Sequence, residues 1–224
     1  MKTTLQAAAT AVVGFAVFCA LLFLPAGTIH YWQAWVFIAV YTVCTLVPSI
    51  YLLATNPAAL QRRMRAGPGA ETRTAQRIII TGAFLLTAGV MVFSAFDHRF
   101  GWSAPPAAVC VAGAVLVAAG LGLTQLVVIQ NSYAAANITV EDQQQVVSGG
   151  LYGLVRHPMY VGVLIMMIGT PLALGSYWGL VSLIAGVPVL MARIVDEEKM
   201  LRKDLTGYDE YAEQVHFRLV PGVW

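Results

Sequence analysis

An all-α integral membrane bundle is the fold class that this 224-residue sequence predicts, on three observations. The chain is 58% hydrophobic and only 11% charged, where a soluble domain carries about 25% charged residues. Its mean hydropathy is +0.72. Long apolar runs flank a few dense polar knots. About five transmembrane helices are expected, followed by a cytoplasmic helical segment. The chain divides into an N-terminal four-span membrane region (residues 1–129) and a C-terminal region (residues 130–224).

The elements follow in order. Ala7 to Leu24 is an uncharged run, longer than the ~7–15 residues of a signal-peptide core and without a clear A-x-A site after it. It therefore reads as a first transmembrane helix. Pro25-Ala26-Gly27 breaks that helix, and His30-Tyr31-Trp32 reads as an aromatic interface belt. Tyr31 to Leu53 forms a second span, with Pro48 inside it, and Asn56-Pro57 ends it. The segment Ala58–Arg77 holds Arg62, Arg63, Arg65, Arg73 and Arg77 against the single acid Glu71. The positive-inside rule makes this loop cytoplasmic, and with it the N-terminus.

Ile78 to Phe96 returns across the membrane, Asp97-His98-Arg99 begins a short outer turn, and Ala107 to Ile129 crosses back. Gln130–Gly150 is polar enough for a solvated connector, and Gly149-Gly150 at its end would allow close backbone approach to a ligand. Met159 to Leu174 and Trp178 to Val195 form an apolar hairpin around Gly175-Ser176-Tyr177. Each arm is short of the ~20 residues of a full crossing. Arg193 and Asp196–Glu198 then leave the bilayer, and Lys199 to Gln214 reads as an amphipathic cytoplasmic helix interrupted at Gly207.

The chemistry concentrates in two knots one hairpin apart, which places them at the same membrane face. In the first, Ser148 to Gly162, Pro158 suits the first turn of a helix because its missing N–H would be unsatisfied there anyway. Arg156 and His157 then sit at the helix start, where free N–H groups and the dipole favour an anion. In the second, Asp196, Glu197 and Glu198 follow Arg193. A basic helix start facing an acidic helix end can hold a zwitterion. Arg193 and Glu197 are four residues apart, on one helix face.

Other classes are excluded. A net charge of +2 without aromatic-basic interleaving does not suit nucleic acid. Cys19, Cys44 and Cys110 lie far apart in apolar runs, and His30, His98, His157 and His216 are dispersed. Neither a disulfide framework nor a metal-ligand spacing results.

The string G-G-L-Y-x-x-V-R-H-P-M-Y-x-G from Gly149, an apolar hairpin, then E-E-x-x-L-x-x-x-x-x-G-Y-x-x-Y-x-x-x-V-x-x-R-x-x-P from Glu197 resembles the isoprenylcysteine carboxyl methyltransferase family. It is also similar to the phospholipid N-methyltransferases of the same membrane superfamily. The resemblance covers roughly Asn131 to Trp224, and the N-terminal half matches only in being apolar and helical. R-H-P-x-Y-x-G also occurs in NADPH-dependent sterol reductases, but that class gives no reason for the Glu-Glu block.

The resemblance implies an S-adenosylmethionine-dependent methyltransferase acting on a lipophilic or lipidated acceptor at the cytoplasmic membrane edge, with the C-terminal helical segment completing the cofactor pocket. It favours carboxylate O-methylation, with phospholipid or amine N-methylation as the alternative. Glu197 and Glu198 are then candidates for the cofactor's α-amino group and ribose hydroxyls. Arg156 and His157 are candidates for its carboxylate end, and Tyr152 and Tyr160 for the flanks of its adenine. The family also places part of its cofactor pocket just before the R-H-P string, which makes Gln130–Gly150 a candidate lid, with Gly150 allowing close backbone approach and Pro158 starting the helix at the pocket. Arg193, with Glu198, is assigned to catalysis, because the family implicates an arginine at this position in handling the acceptor carboxylate. Arg202, Arg218 and Gly120-x-Gly122 are weaker candidates.

Overall fold

The computed structural model describes residues 2–64, 69, 71, 73–131, 133, 134 and 144–224. Among these residues there are eight α-helices and no strand: α1 (Lys2–Ala26), α2 (Trp32–Thr55), α3 (Pro57–Met64), α4 (Thr74–Phe100), α5 (Ala107–Gln130), α6 (Pro158–Ala173), α7 (Ser182–Asp204) and α8 (Tyr208–Gln214). Five are long and apolar enough to cross a membrane: α1, α2, α4, α5 and α7 taken with the 3-10 turn Trp178–Val181 before it. The all-α membrane bundle expected from composition is the observed architecture. Arg65 and most of the polar linker, including residues 135–143, lie outside the described residues.

Helix ends follow local chemistry. Gly27 adopts φ +68° just after Pro25. Asn56 closes α2, and its Oδ1 accepts the Ala59 N–H at 3.1 Å to start α3, whose first residue is Pro57. Two expected boundaries are corrected. Asp97, His98 and Arg99 do not form an outer turn but complete the last turn of α4, which stops at left-handed Gly101. The acidic triplet Asp196–Glu198 does not end its helix either: α7 runs on to Asp204, and only α8 follows as a separate short helix. The apolar run stops at Val195, but Lys199–Asp204 are good helix formers and continue the turn.

Helix α6 has 16 residues, which at ~1.5 Å each reach roughly 24 Å, short of a hydrocarbon core of about 30 Å. It lies along α5 on a glycine seam. A Cβ on Gly120 would sit 2.6 Å from the Gly162 carbonyl oxygen, and one on Gly162 would sit 2.6 Å from the Gly120 oxygen. Gly113 and Gly169 make similarly close approaches. Only glycine lets the two backbones meet so closely, as in small-residue seams between membrane helices.

At the end of the bundle away from the basic knot, a clasp joins α4 to both neighbouring turns. The Asp97 carboxylate, fully buried, accepts the Ser103 N–H (2.6 Å), the Ser103 hydroxyl (2.7 Å) and the Ser176 hydroxyl (2.5 Å). Beside it the buried Tyr31 hydroxyl donates to the Leu174 carbonyl at 2.6 Å, and the Tyr31 ring stacks on His98 at 3.9 Å. The main apolar core, with Leu22, Phe37, Met91, Val117 and Leu121, fills the space below.

The seam sets a prediction. Gly162→Ala forces α5 and α6 apart and is expected to destabilise the bundle by ~1–3 kcal/mol, the usual cost of overpacking. Gly122→Ala, where an added Cβ meets nothing within 4 Å, is expected to be neutral or to stabilise by up to ~1 kcal/mol through helix propensity. Thermal unfolding of the two variants in detergent checks the contrast.

Candidate functional site

The two knots expected to meet do meet, around one carboxylate. Glu198 on α7 is buried, with 3% exposure. Its Oε1 accepts from Arg156 Nε at 2.8 Å and lies 3.3 Å from His157 Nε2, while its Oε2 accepts from Arg218 Nε at 2.9 Å. A carboxylate only accepts, so His157 Nε2 carries the hydrogen. Arg156 Nη1 also donates to the Val215 and His216 carbonyls at 2.7 and 3.0 Å. The chain after α8 therefore lies against the knot, and the Arg156 and His157 N–H groups bond the Phe217 and Arg218 carbonyls, each at 2.9 Å. His157 occupies the position before α6, with Pro158 in its first turn as expected. Its ring does not cap the helix; it turns to Glu198 instead.

A second chain of contacts starts from the neighbouring residue. Glu197 Oε2 accepts the Tyr160 hydroxyl at 2.6 Å, and that hydroxyl accepts from Arg193 Nε at 2.9 Å. Tyr160 thus stands between Arg193 and Glu197. The rest of the Arg193 guanidinium faces Glu71 Oε1 (3.3 and 3.4 Å) and Gln76 Oε1 (2.7 Å). Gln76 also bonds Asp196, which pairs with Arg73 at 2.8 Å. Arg193 is buried, and so are Glu71 and Gln76.

Between the knots lies a half-open cavity enclosing about 790 Å³ with the open space of its mouth included. Tyr152, Arg156, His157, Pro158, Tyr160 and Glu197 line it, with Asn131, Tyr133, Gln144, Tyr208 and Tyr211. Met159, Met200, Leu201, Leu205 and Val146 supply its apolar wall. Glu198, Arg193 and Gly150 stand behind the lining. At Gly150, φ +59° brings the backbone against the Gln130 side chain. The Gln130 amide bridges that turn, Nε2 donating to Gly149 O (2.5 Å) and Oε1 accepting from Leu151 N (3.2 Å). Asn131 donates to the Tyr152 hydroxyl (3.2 Å), and Tyr211 donates to the Tyr152 carbonyl (2.7 Å).

Burial, reinforced by the nearby Glu197 charge, pushes the Tyr152 phenol up to about 12. Burial and the neighbouring carboxylates likewise raise Tyr208 well above the ordinary phenol range, and burial with Tyr152 close by raises Tyr211. All three are therefore neutral hydroxyls on residues that line the cavity, suited to hydrogen bonding and not to accepting a proton. Tyr208 was not singled out from the sequence, yet it carries the sharpest local signal. Only 3% exposed, its hydroxyl has no hydrogen-bond partner among the described residues. A buried hydroxyl without a partner costs stability, and on a cavity wall a ligand can supply that partner. The Gly207-Tyr208-x-x-Tyr211 spacing was the available clue, since residues three apart share a helix face. Of the weaker candidates, Arg218 reaches Glu198, Arg202 pairs with Asp209 at the surface, and Gly120 is a packing glycine.

The site now has relatives. A family model described as phospholipid methyltransferase matches residues 108–206, from α5 through α7. Two curated rice proteins, each named probable protein-S-isoprenylcysteine O-methyltransferase, one from Oryza sativa subsp. indica and one from subsp. japonica, are 26% identical over 194 residues. The match spans 82% of this chain and 94% of each relative. The chain is therefore similar to membrane methyltransferases, of both the phospholipid and the isoprenylcysteine types.

The geometry predicts which acid matters to the fold. Glu198→Gln leaves Arg156 and Arg218 beside a neutral amide and is expected to cost ~3–5 kcal/mol, as when one partner of a buried ion pair is removed. Arg202→Ala breaks an exposed pair and should cost at most ~1 kcal/mol. Chemical denaturation in detergent distinguishes the two.

Proposed function

We propose that the protein transfers a methyl group from S-adenosylmethionine to a lipophilic acceptor, most directly to a carboxylate, at the cytoplasmic edge of the membrane. The observation that carries the reading is the cavity wall: a carboxylate, a guanidinium and an orphaned buried hydroxyl oppose apolar side chains in one volume. These groups fit an amphoteric nucleoside with a sulfonium arm. Glu197 suits its ammonium group. Arg156 and His157, held in place by Glu198, suit its carboxylate, while Tyr208, Tyr152 and Asn131 offer hydrogen bonds to hydroxyls or ring nitrogens. Met159, Met200 and Leu201 suit its adenine face.

When bound, S-adenosylmethionine supplies a methyl group already activated by its sulfonium, so the protein's task is to align the acceptor and exclude water. A carboxylate acceptor is ionised at neutral pH and needs no base. That agrees with the neutral phenols of the cavity, which are poorly suited to deprotonate an amine. The name of the rice relatives points to carboxylate methylation as well. Arg193 is the acceptor-side candidate because its fork can grip a carboxylate in two contacts. It is already paired with Glu71, so an acceptor carboxylate would take over that place. The arginine-rich segment 58–77 supports a cytoplasmic position for this end of the bundle by the positive-inside rule.

Calorimetry on the detergent-purified protein is expected to show binding of S-adenosylhomocysteine and none of NADPH; the reverse result overturns the reading. Tyr208→Phe should weaken S-adenosylhomocysteine by roughly tenfold, one lost hydrogen bond of ~1.5 kcal/mol. Its thermal midpoint should not fall, because the free protein loses no bond.

Arg193→Ala is expected to cut methyl transfer by ~10²–10³-fold, the scale of one lost transition-state contact, with a much smaller change in S-adenosylhomocysteine affinity. Lys at this position should restore part of the activity, keeping the charge but not the planar fork. A parallel loss of binding and turnover would instead assign Arg193 to the support of Tyr160 and Glu197.

A further inference from the structure

A second polar site lies beside the cavity, on residues the methyl-transfer chemistry does not use. Arg63 closes α3 and turns inward, half-buried, to bond the Oε1 of Gln125 on α5. Gln125 is 4% exposed, and its Nε2 is fully buried with no partner among the described residues. Arg63 has no carboxylate partner among the described residues. Burial is the main influence on it and lowers its pKa, while the one neighbour that opposes this is the Tyr41 ring of α2.

The orientation of the Gln125 amide follows from valence. A guanidinium only donates, so the amide oxygen must face Arg63, and the NH2 is left pointing elsewhere with two donors. Among the described residues, the place where α2, α3 and α5 converge therefore holds a surplus of donors and one charge without a carboxylate partner. Buried donors demand acceptors, and an anion satisfies both deficits together.

The surroundings decide what kind of anion. Leu52, Leu60 and Val128 pack beside the site, with Met64 and with Met159 of the cavity wall. Arg62 lies over the ring of Tyr133, which also lines the cavity, at 5.1 Å. Outward, α2 exposes Val43, Leu46, Val47 and Ile50, the face a membrane helix offers to lipid. A small hydrated anion would have to shed its water among these groups, whereas an amphiphile brings its own apolar chain. We propose that Arg63 and Gln125 form a binding site for the anionic end of an amphiphile, a carboxylate or phosphate carried on an apolar chain, entering between α2, α3 and α5 next to the cavity. The site does not depend on the identity of the methyl donor.

Binding of palmitate and of lysophosphatidic acid to the protein in uncharged detergent tests this, with methyl palmitate and monoacylglycerol as the uncharged counterparts. The parent is expected to bind at least one anionic probe and neither counterpart. Palmitate alone would identify a fatty-acid carboxylate, lysophosphatidic acid alone a phosphate headgroup, and both an unselective anion site. Arg63→Met should weaken the response roughly tenfold to a hundredfold. Gln125→Glu supplies the missing carboxylate from within, so it should raise the thermal midpoint without probe and abolish the probe response. Equal binding of charged and uncharged probes, or a Gln125→Glu protein that still responds, overturns the proposal.

Discussion

A carboxylate taken out of water must be paired, and in this protein that requirement organises the end of the bundle that holds the cavity. Glu198 sits on α7 with almost no exposure, and its two oxygens are shared by Arg156, His157 and Arg218. The partners come from the segment before α6 and from the chain after α8, so one buried charge ties three stretches distant in sequence. Arg156 reinforces the knot through two carbonyls of the same terminal stretch. Burying such a cluster costs desolvation, which is regained only when every charge has its partner. The cavity wall formed by Arg156, His157 and Glu197 inherits its shape from that demand.

The adjacent acid, Glu197, is handled differently. It lines the cavity and is linked through the Tyr160 hydroxyl to Arg193, which in turn binds Glu71 and Gln76 near the start of α4. Two neighbouring glutamates are thus placed differently, one buried in the charge knot and one lining the cavity. The division follows from helix geometry, since successive residues project about 100° apart around the axis. Through Arg193 the acceptor-side candidate is coupled to the cavity by a single hydroxyl.

At the other end a smaller network does a purely structural task. Asp97 holds the turns after α4 and after α6 with three hydrogen bonds, and the glycine seam between α5 and α6 carries that order toward the site. Because α6 is too short to cross the apolar core by itself, its position relies on close backbone contact with α5. The R-H-P knot at its start is thereby set at a fixed height beside Glu198.

Fold class was legible from composition, because a chain so apolar has few options besides a helical bundle. The meeting of the R-H-P knot with the Glu-Glu pair was legible as well, since an apolar hairpin must bring its ends to one side. Local signals also placed Pro158 in the first turn of α6 and the breaks at Gly27 and Asn56. Hidden from the sequence were the continuation of α7 past its acids, the inclusion of Asp97 in α4, the separate tasks of Glu197 and Glu198, and the exchange of partners around Arg193, Glu71 and Gln76. The bare Tyr208 hydroxyl and the Arg63–Gln125 pair were hidden too. Each of these depends on which side chains from remote helices come within hydrogen-bonding distance, and apolar periodicity, which decides where a helix lies, says nothing of that. The sequence by itself determined a membrane bundle and the residues of its polar end; tertiary packing alone decided how the charges pair, because desolvation makes every buried charge choose the nearest partner in space.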